Sequence, residues 1–169
     1  MDLSTASAQL KTQGQNILHL AEDLSLEQAR WKPDEKSWSV LEVMSHLVDE
    51  EVLDFRRHLD HLLHTPTAPW PEIDPQGWVT AKRYNERQLD ETLAAFAAER
   101  EASLKWLDTL NDPNLDSAAP MPWGSLSAGD MLASWLAHDL LHLRQLIELR
   151  YALTEKGCAP YDVEYAGGW

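Results

Sequence analysis

Cysteine is nearly missing from this sequence. Cys158 stands alone, so no disulfide can form within the chain, and a reducing compartment is the expectation. No activating neighbour accompanies it in the sequence, which argues against a nucleophilic thiol. Positive charge is also scarce: 14 Lys and Arg face 28 Asp and Glu, for a net charge of −14. With no run of basic residues, broad affinity for nucleic-acid phosphates or anionic membranes is excluded as an expectation. No apolar run approaches bilayer length. The opening MDLSTASAQLKTQGQ has neither the basic start nor the apolar stretch of a signal peptide, so a cytoplasmic location is expected. No segment alternates apolar and polar residues long enough to predict a strand, and no repeat is visible.

What remains is helical periodicity. At 169 residues the chain fits one domain with a substantial core. Leu3, Leu10, Ile17 and Leu24 predict a first amphipathic helix, in which Gly14 either weakens the helix or permits a close contact. The connector SLEQARWKPDEKSW follows, with Trp31 and Trp38 expected to plug one end of a bundle. Ser39 with Glu42 forms a capping box for a second helix, striped by Val40, Met44, Leu47, Phe55, Leu59 and Leu62. From Thr65, TPTAPWPEIDPQGW carries four prolines and cannot continue it. A third helix is predicted from about Val79 to Leu110, and Ser127 with Asp130 caps a fourth. The reading is all-α: a four-helix bundle with a long connection between helices two and three. It divides into a bundle over 1–153 and a tail over 154–169. Tyr161, Tyr165 and Trp169 recur every four residues in that tail. Burying such rings offsets ordering entropy, which predicts that the tail packs on its own bundle or on a partner subunit.

The most regular stretch is Met131 to Leu149, MLASWLAHDLLHLRQLIEL. His138 and His142 fall on its apolar stripe four residues apart, stacked one turn above the other. Such a pair closes on one ion from a single rigid element, or it is two hydrogen-bonded core histidines. His46, on the second helix, is the strongest third ligand. Three neutral imidazoles suit Zn, Ni or Fe(II) and leave positions open. Glu50 and Asp139 stand beside these histidines as candidates for proton transfer or for orienting the rings. Asp49 is read as a solvated helix face. HDLLH imitates the HExxH helix of zinc proteases, but Asp is a methylene short and no sheet accompanies it. His58, His61 and His64 are expected at a solvated helix end, and His19 is read as structural. Trp135 and Trp123 are read as core, or as walls of a pocket.

SWSVLEVMSHLVDEE, followed far downstream by LSAGDMLASWLAHDLLHLRQLIEL, resembles the DinB/YfiT-like superfamily. The resemblance covers nearly the whole chain in order and spacing, and its specific part is these two stretches. It implies the same bundle, often paired as a homodimer, with one divalent transition metal per chain on His46, His138 and His142. Members with known roles resemble thiol-dependent transferases and isomerases, in which a metal activates a thiol such as bacillithiol or mycothiol. Others look like metal-dependent hydrolases. The leading expectation is therefore a metal-dependent enzyme transferring a low-molecular-weight thiol to an electrophilic small molecule. Hydrolysis by a metal-activated water, with Glu50 or Asp139 accepting the proton, is the alternative. A non-catalytic, stress-related bundle with a structural metal is the third.

Overall fold

A computed structural model describes residues 2–167. Asp2 caps α1 (Leu3–Ala21) by accepting from the Thr5 N–H at 2.8 Å. After the short α2 (Leu26–Arg30), the Ser39–Glu42 capping box opens α3 (Val40–Glu50), both of its hydrogen bonds being present. A single π-helical turn over Glu51–Phe55 joins α3 to α4 (Arg56–His64). The two therefore act as one bundle helix with a register shift in its middle. The bundle is completed by α6 (Leu89–Thr109) and α7 (Ala128–Cys158), with α1 packed against both.

The third helix begins later than expected. Pro75, at the start of α5 (Pro75–Ala81), follows the Asp74 cap, and Arg83 adopts a left-handed conformation at φ 51°. A Pro-initiated helix and a left-handed residue in quick succession break the continuous pattern read from Val79. The connection therefore carries a helix of its own. A hairpin also appears before α7: β1 (Ala118–Met121) pairs antiparallel with β2 (Gly124–Ser127). Four residues per strand are too few for an alternating pattern to stand out.

A small cluster of Ala29, Leu41 and Leu89 aside, the core lies in two apolar layers. Leu10, Phe55, Leu59, Leu107, Leu132 and Trp135 form one, while Ile17, Met44, Leu47, Phe96, Leu146 and Leu149 form the other. Along each helix, the position between the layers is held by Gly14, Glu51, Arg100 and Asp139. Arg100 donates two hydrogen bonds to Glu51 at 2.9 Å, two to Asp139 at 2.6 and 2.9 Å, and one to the Leu10 carbonyl at 2.7 Å. A Cβ at Gly14 would stand 3.2 Å from Arg100 Cγ, so the close contact is the reading that holds for this glycine.

The first part of the tail continues the last helix. α7 continues to Cys158, and beyond it Tyr161 and Tyr165 are 80% and 105% exposed. Neither ring is covered by its own bundle. Trp169 lies outside the described residues. Trp31 is half-buried, with the Lys156 ammonium 4.7 Å from its ring. No helix among the described residues is long and apolar enough to cross a membrane.

Candidate metal centre

α3 and α7 face each other across a cleft of about 570 Å³, and the three histidines line it. His46 is buried, whereas His138 and His142 are half-buried. One donor atom from each ring lies within 4.8 Å of the other two. Nε2 of His138 and Nε2 of His142 are 3.1 Å apart, as their one-turn spacing dictates. A tetrahedral ion with bonds of about 2.0–2.1 Å sets its nitrogen donors about 3.3 Å apart.

Glu50, one turn after His46, reaches the same place. Its carboxyl oxygens stand 3.8 Å from His46 Nδ1 and 3.9 Å from His138 Nε2. These separations are too long for hydrogen bonds. Both His46 Nδ1 and Glu50 Oε1 are buried without a hydrogen-bond partner among the described residues, although buried polar atoms are nearly always satisfied. A cation among these atoms would satisfy them, so the donor set fits a transition-metal ion.

The surroundings hold the rings in place. Gln145 Oε1 lies 2.8 Å from His142 Nδ1, which leaves Nε2 for the cleft. Trp38 meets His46 edge-on at 4.9 Å and lies parallel to His142 at 6.5 Å. It thus walls the site while packing against the second apolar layer. Phe55, from the π-helical turn, packs 4.8 Å from His138. Burial, and then the neighbouring His142, push His46 down to about 3; the same causes, with His46 added, push His138 down to about 3. His142 is lowered by burial as well. All three imidazoles are therefore neutral, the form a metal requires. Burial and the adjoining Asp54 carboxyl push Glu50 up to about 9.

Asp139 does not join this cluster. A helix turns about 100° per residue, so the position after His138 faces the interior, and Asp139 is locked to Arg100 there. Burial raises Asp139 and Glu51, while the guanidinium between them opposes that rise. The HxxxH stripe is therefore no protease-like motif with its acid at the metal. Asp49 is no free solvated residue either: Lys82 at 3.1 Å, Arg87 at 3.5 Å and the Tyr84 hydroxyl all converge on it.

His58 and His61 correct another expectation. His58 is fully buried, stacked 4.3 Å from Trp70, and hydrogen-bonded to Asp54 at 2.6 Å and to the Pro71 carbonyl at 2.8 Å. His61 is buried edge-on to the same indole. The proline-rich connection folds back and covers them; only His64 is left exposed. His19 is exposed, with Nδ1 on the Gln15 carbonyl at 2.8 Å. Trp135 is core at 1% exposure, and Trp123 stands 76% exposed at the hairpin tip.

Arg100 escaped the sequence reading although a signal existed. It occupies a helical step between Phe96 and Leu107 on an otherwise apolar stripe, as Glu51 does between Leu47 and Phe55.

A sequence profile of the DinB superfamily matches residues 9–146, a span that contains all three histidines and Glu50. The chain belongs to the DinB superfamily. No curated protein matches this DinB-superfamily chain. Among solved structures it is similar to YfiT from Bacillus subtilis, described as a probable metal-dependent hydrolase with an unusual four-helix bundle topology. The two share 18% identity and superpose with a TM-score of 0.78, covering 90% of this chain and 87% of that one. At this identity the likeness carries the DinB-like four-helix fold.

Proposed function

We propose that this DinB-superfamily protein is a metal-dependent enzyme that activates a small nucleophile at His46, His138 and His142. The observation that carries it is the convergence of three imidazoles and a buried carboxyl in the lining of one cleft. One divalent transition metal per chain is proposed, with Zn or Ni favoured by the all-imidazole donor set and Fe suited as well. When bound, the ion lowers the pKa of a thiol or water beside it.

The residues of the chain do the rest. Gln145 fixes the His142 ring, and Trp38 closes one side of the cleft. Glu50 is assigned the proton of the nucleophile; with a dication held by the imidazoles its carboxyl would be drawn down toward the charged form that accepts one. In the leading reading the nucleophile is a low-molecular-weight thiol. Its sulfur bonds to an electrophilic carbon, the leaving group departs with the bonding electrons, and Glu50 holds the thiol proton. A cleft of about 570 Å³ has room for both reactants. Hydrolysis is the second reading, favoured by Glu50 standing where a general base for water would be, and by the description of YfiT. Asp139 is left out of both, because its carboxylate is spent on Arg100.

We further propose a cytoplasmic protein that acts on a small molecule and assembles as a homodimer. The deciding experiment purifies the protein without a histidine tag, measures bound metal, and assays the metal-loaded protein on electrophiles with and without thiol. Thiol-dependent turnover supports transfer, and thiol-independent turnover supports hydrolysis. A protein that takes up no divalent ion, or that binds one without either turnover, rejects the enzyme reading.

A further inference from the structure

The chain has twice as many acids as bases, and nearly every base is engaged. Eleven of the 14 Lys and Arg side chains make an ion pair, a side-chain hydrogen bond to a backbone carbonyl or a cation–π contact. Lys11, Lys36 and Arg57 make none among the described residues. Of these three, Lys36 alone lines the cleft that holds the histidines. An uncommitted cation at the mouth of a pocket, in a protein of net charge −14, offers its charge to whatever enters.

The backbone beneath Lys36 is built for position. Asp34 Oδ1 accepts from the Lys36 N–H at 2.7 Å and from the Ser37 N–H at 2.9 Å, while Oδ2 accepts from the Ser37 hydroxyl at 2.9 Å. Two residues further on, Trp38 packs on His46. The segment bearing the lysine is thereby tied to a candidate ligand. The remainder of the rim narrows the anion that fits. Among the described residues no arginine and no second lysine line the cleft, so the clustered donors that grip phosphate are missing there. Glu148, which also lines the cleft, leans on Arg144 at 3.4 Å and repels further negative charge.

Resting on the metal-site reading above, we infer that Lys36 is a specificity-determining residue that binds a single carboxylate of the substrate while the reacting group lies at the histidines.

The test uses full-length protein loaded with cobalt(II) and follows the near-ultraviolet absorption that appears when a thiol joins the ion. Mercaptoacetate, 3-mercaptopropionate and 4-mercaptobutyrate are each compared with their carboxamides at low ionic strength, in wild type and in Lys36→Met. The expected result is tighter binding of the carboxylate by about three- to fivefold for at least one chain length. Lys36→Met should abolish that preference while leaving cobalt content and amide affinity unchanged. Equal binding of acid and amide at every length, or a preference that survives in the variant, overturns the inference and leaves the metal site standing. Inorganic phosphate displacing the amide as well as propionate does, at matched ionic strength, overturns the assignment to carboxylate. If cobalt does not bind at all, the metal-site reading and this inference fall together.

Discussion

Neutral imidazole is a ligand only when nothing else claims its lone pair, and the three histidines are kept neutral by burial. Replacing His138 and His142 together by Ala removes two of three donors, and the variant should retain no stoichiometric ion by elemental analysis. Wild-type protein in excess metal should melt higher than metal-stripped protein; at about 100 times Kd the gain is about 2.7 kcal/mol. That gain should vanish in the double variant, and full metal content there would falsify the site. Glu50→Gln keeps the shape and loses the base. Turnover should fall by about 10²–10⁴ with metal content unchanged. Unaltered turnover would remove Glu50 from the chemistry.

Between the two apolar layers, α1, α6, α7 and the π-helical turn meet through one guanidinium. Arg100→Met leaves two buried carboxyls without their partner and should cost about 3–5 kcal/mol in chemical denaturation. Replacing Glu51 and Asp139 by Leu in the same chain should recover most of that loss, because the ions then need no solvation at all. Failure to recover would mean that the charges also direct the bundle's register. Loop order depends on pH through Asp34, whose carboxyl is held below its ordinary 3.8 by the Lys36 and Ser37 N–H groups and the Ser37 hydroxyl. A depressed acid stabilises the folded form above its unfolded pKa, and loses that contribution as pH falls through the folded value. Amide protection at Lys36 and Ser37 should therefore collapse below pH 3.8, and in Asp34→Ala at neutral pH.

At the scale of the molecule, unburied apolar surface is the open account. Leu140, Leu141 and Ile147 on α7 are 55%, 56% and 41% exposed, and Tyr161 and Tyr165 project beyond its end. The expected outcome is a homodimer whose partner covers some of this surface, the tail included. Sedimentation at micromolar concentration should show twice 19.2 kDa, and removal of residues after Cys158 should lower the melting temperature with metal content unchanged. A 19.2 kDa species, with a truncation as stable as wild type, sets both the dimer and the packed tail aside.

Periodicity and caps made much of this protein legible before any coordinates. Ser39 and Ser127 open α3 and α7 as their capping boxes require, and the one-turn spacing of His138 and His142 needs only a helix to bring their rings together. Local rules sufficed there because the interacting groups lie within one turn. Where the partner is distant in sequence, local pattern is silent. Asp139 and Glu50 both read as neighbours of the ligands, yet only packing sends one to Arg100 and the other to the cleft. The π-helical turn slips α3 against α4 by one residue, a shift that no spacing in the sequence announces. His58 and His61 are buried only because the proline-rich connection folds back and lays Trp70 on them. The sequence by itself determined that four bundle helices form, the caps at Ser39 and Ser127, and the one-turn histidine pair. Tertiary structure decided which charges were paired and which remained for a ligand, because the cost of burying a charge depends on what stands across from it.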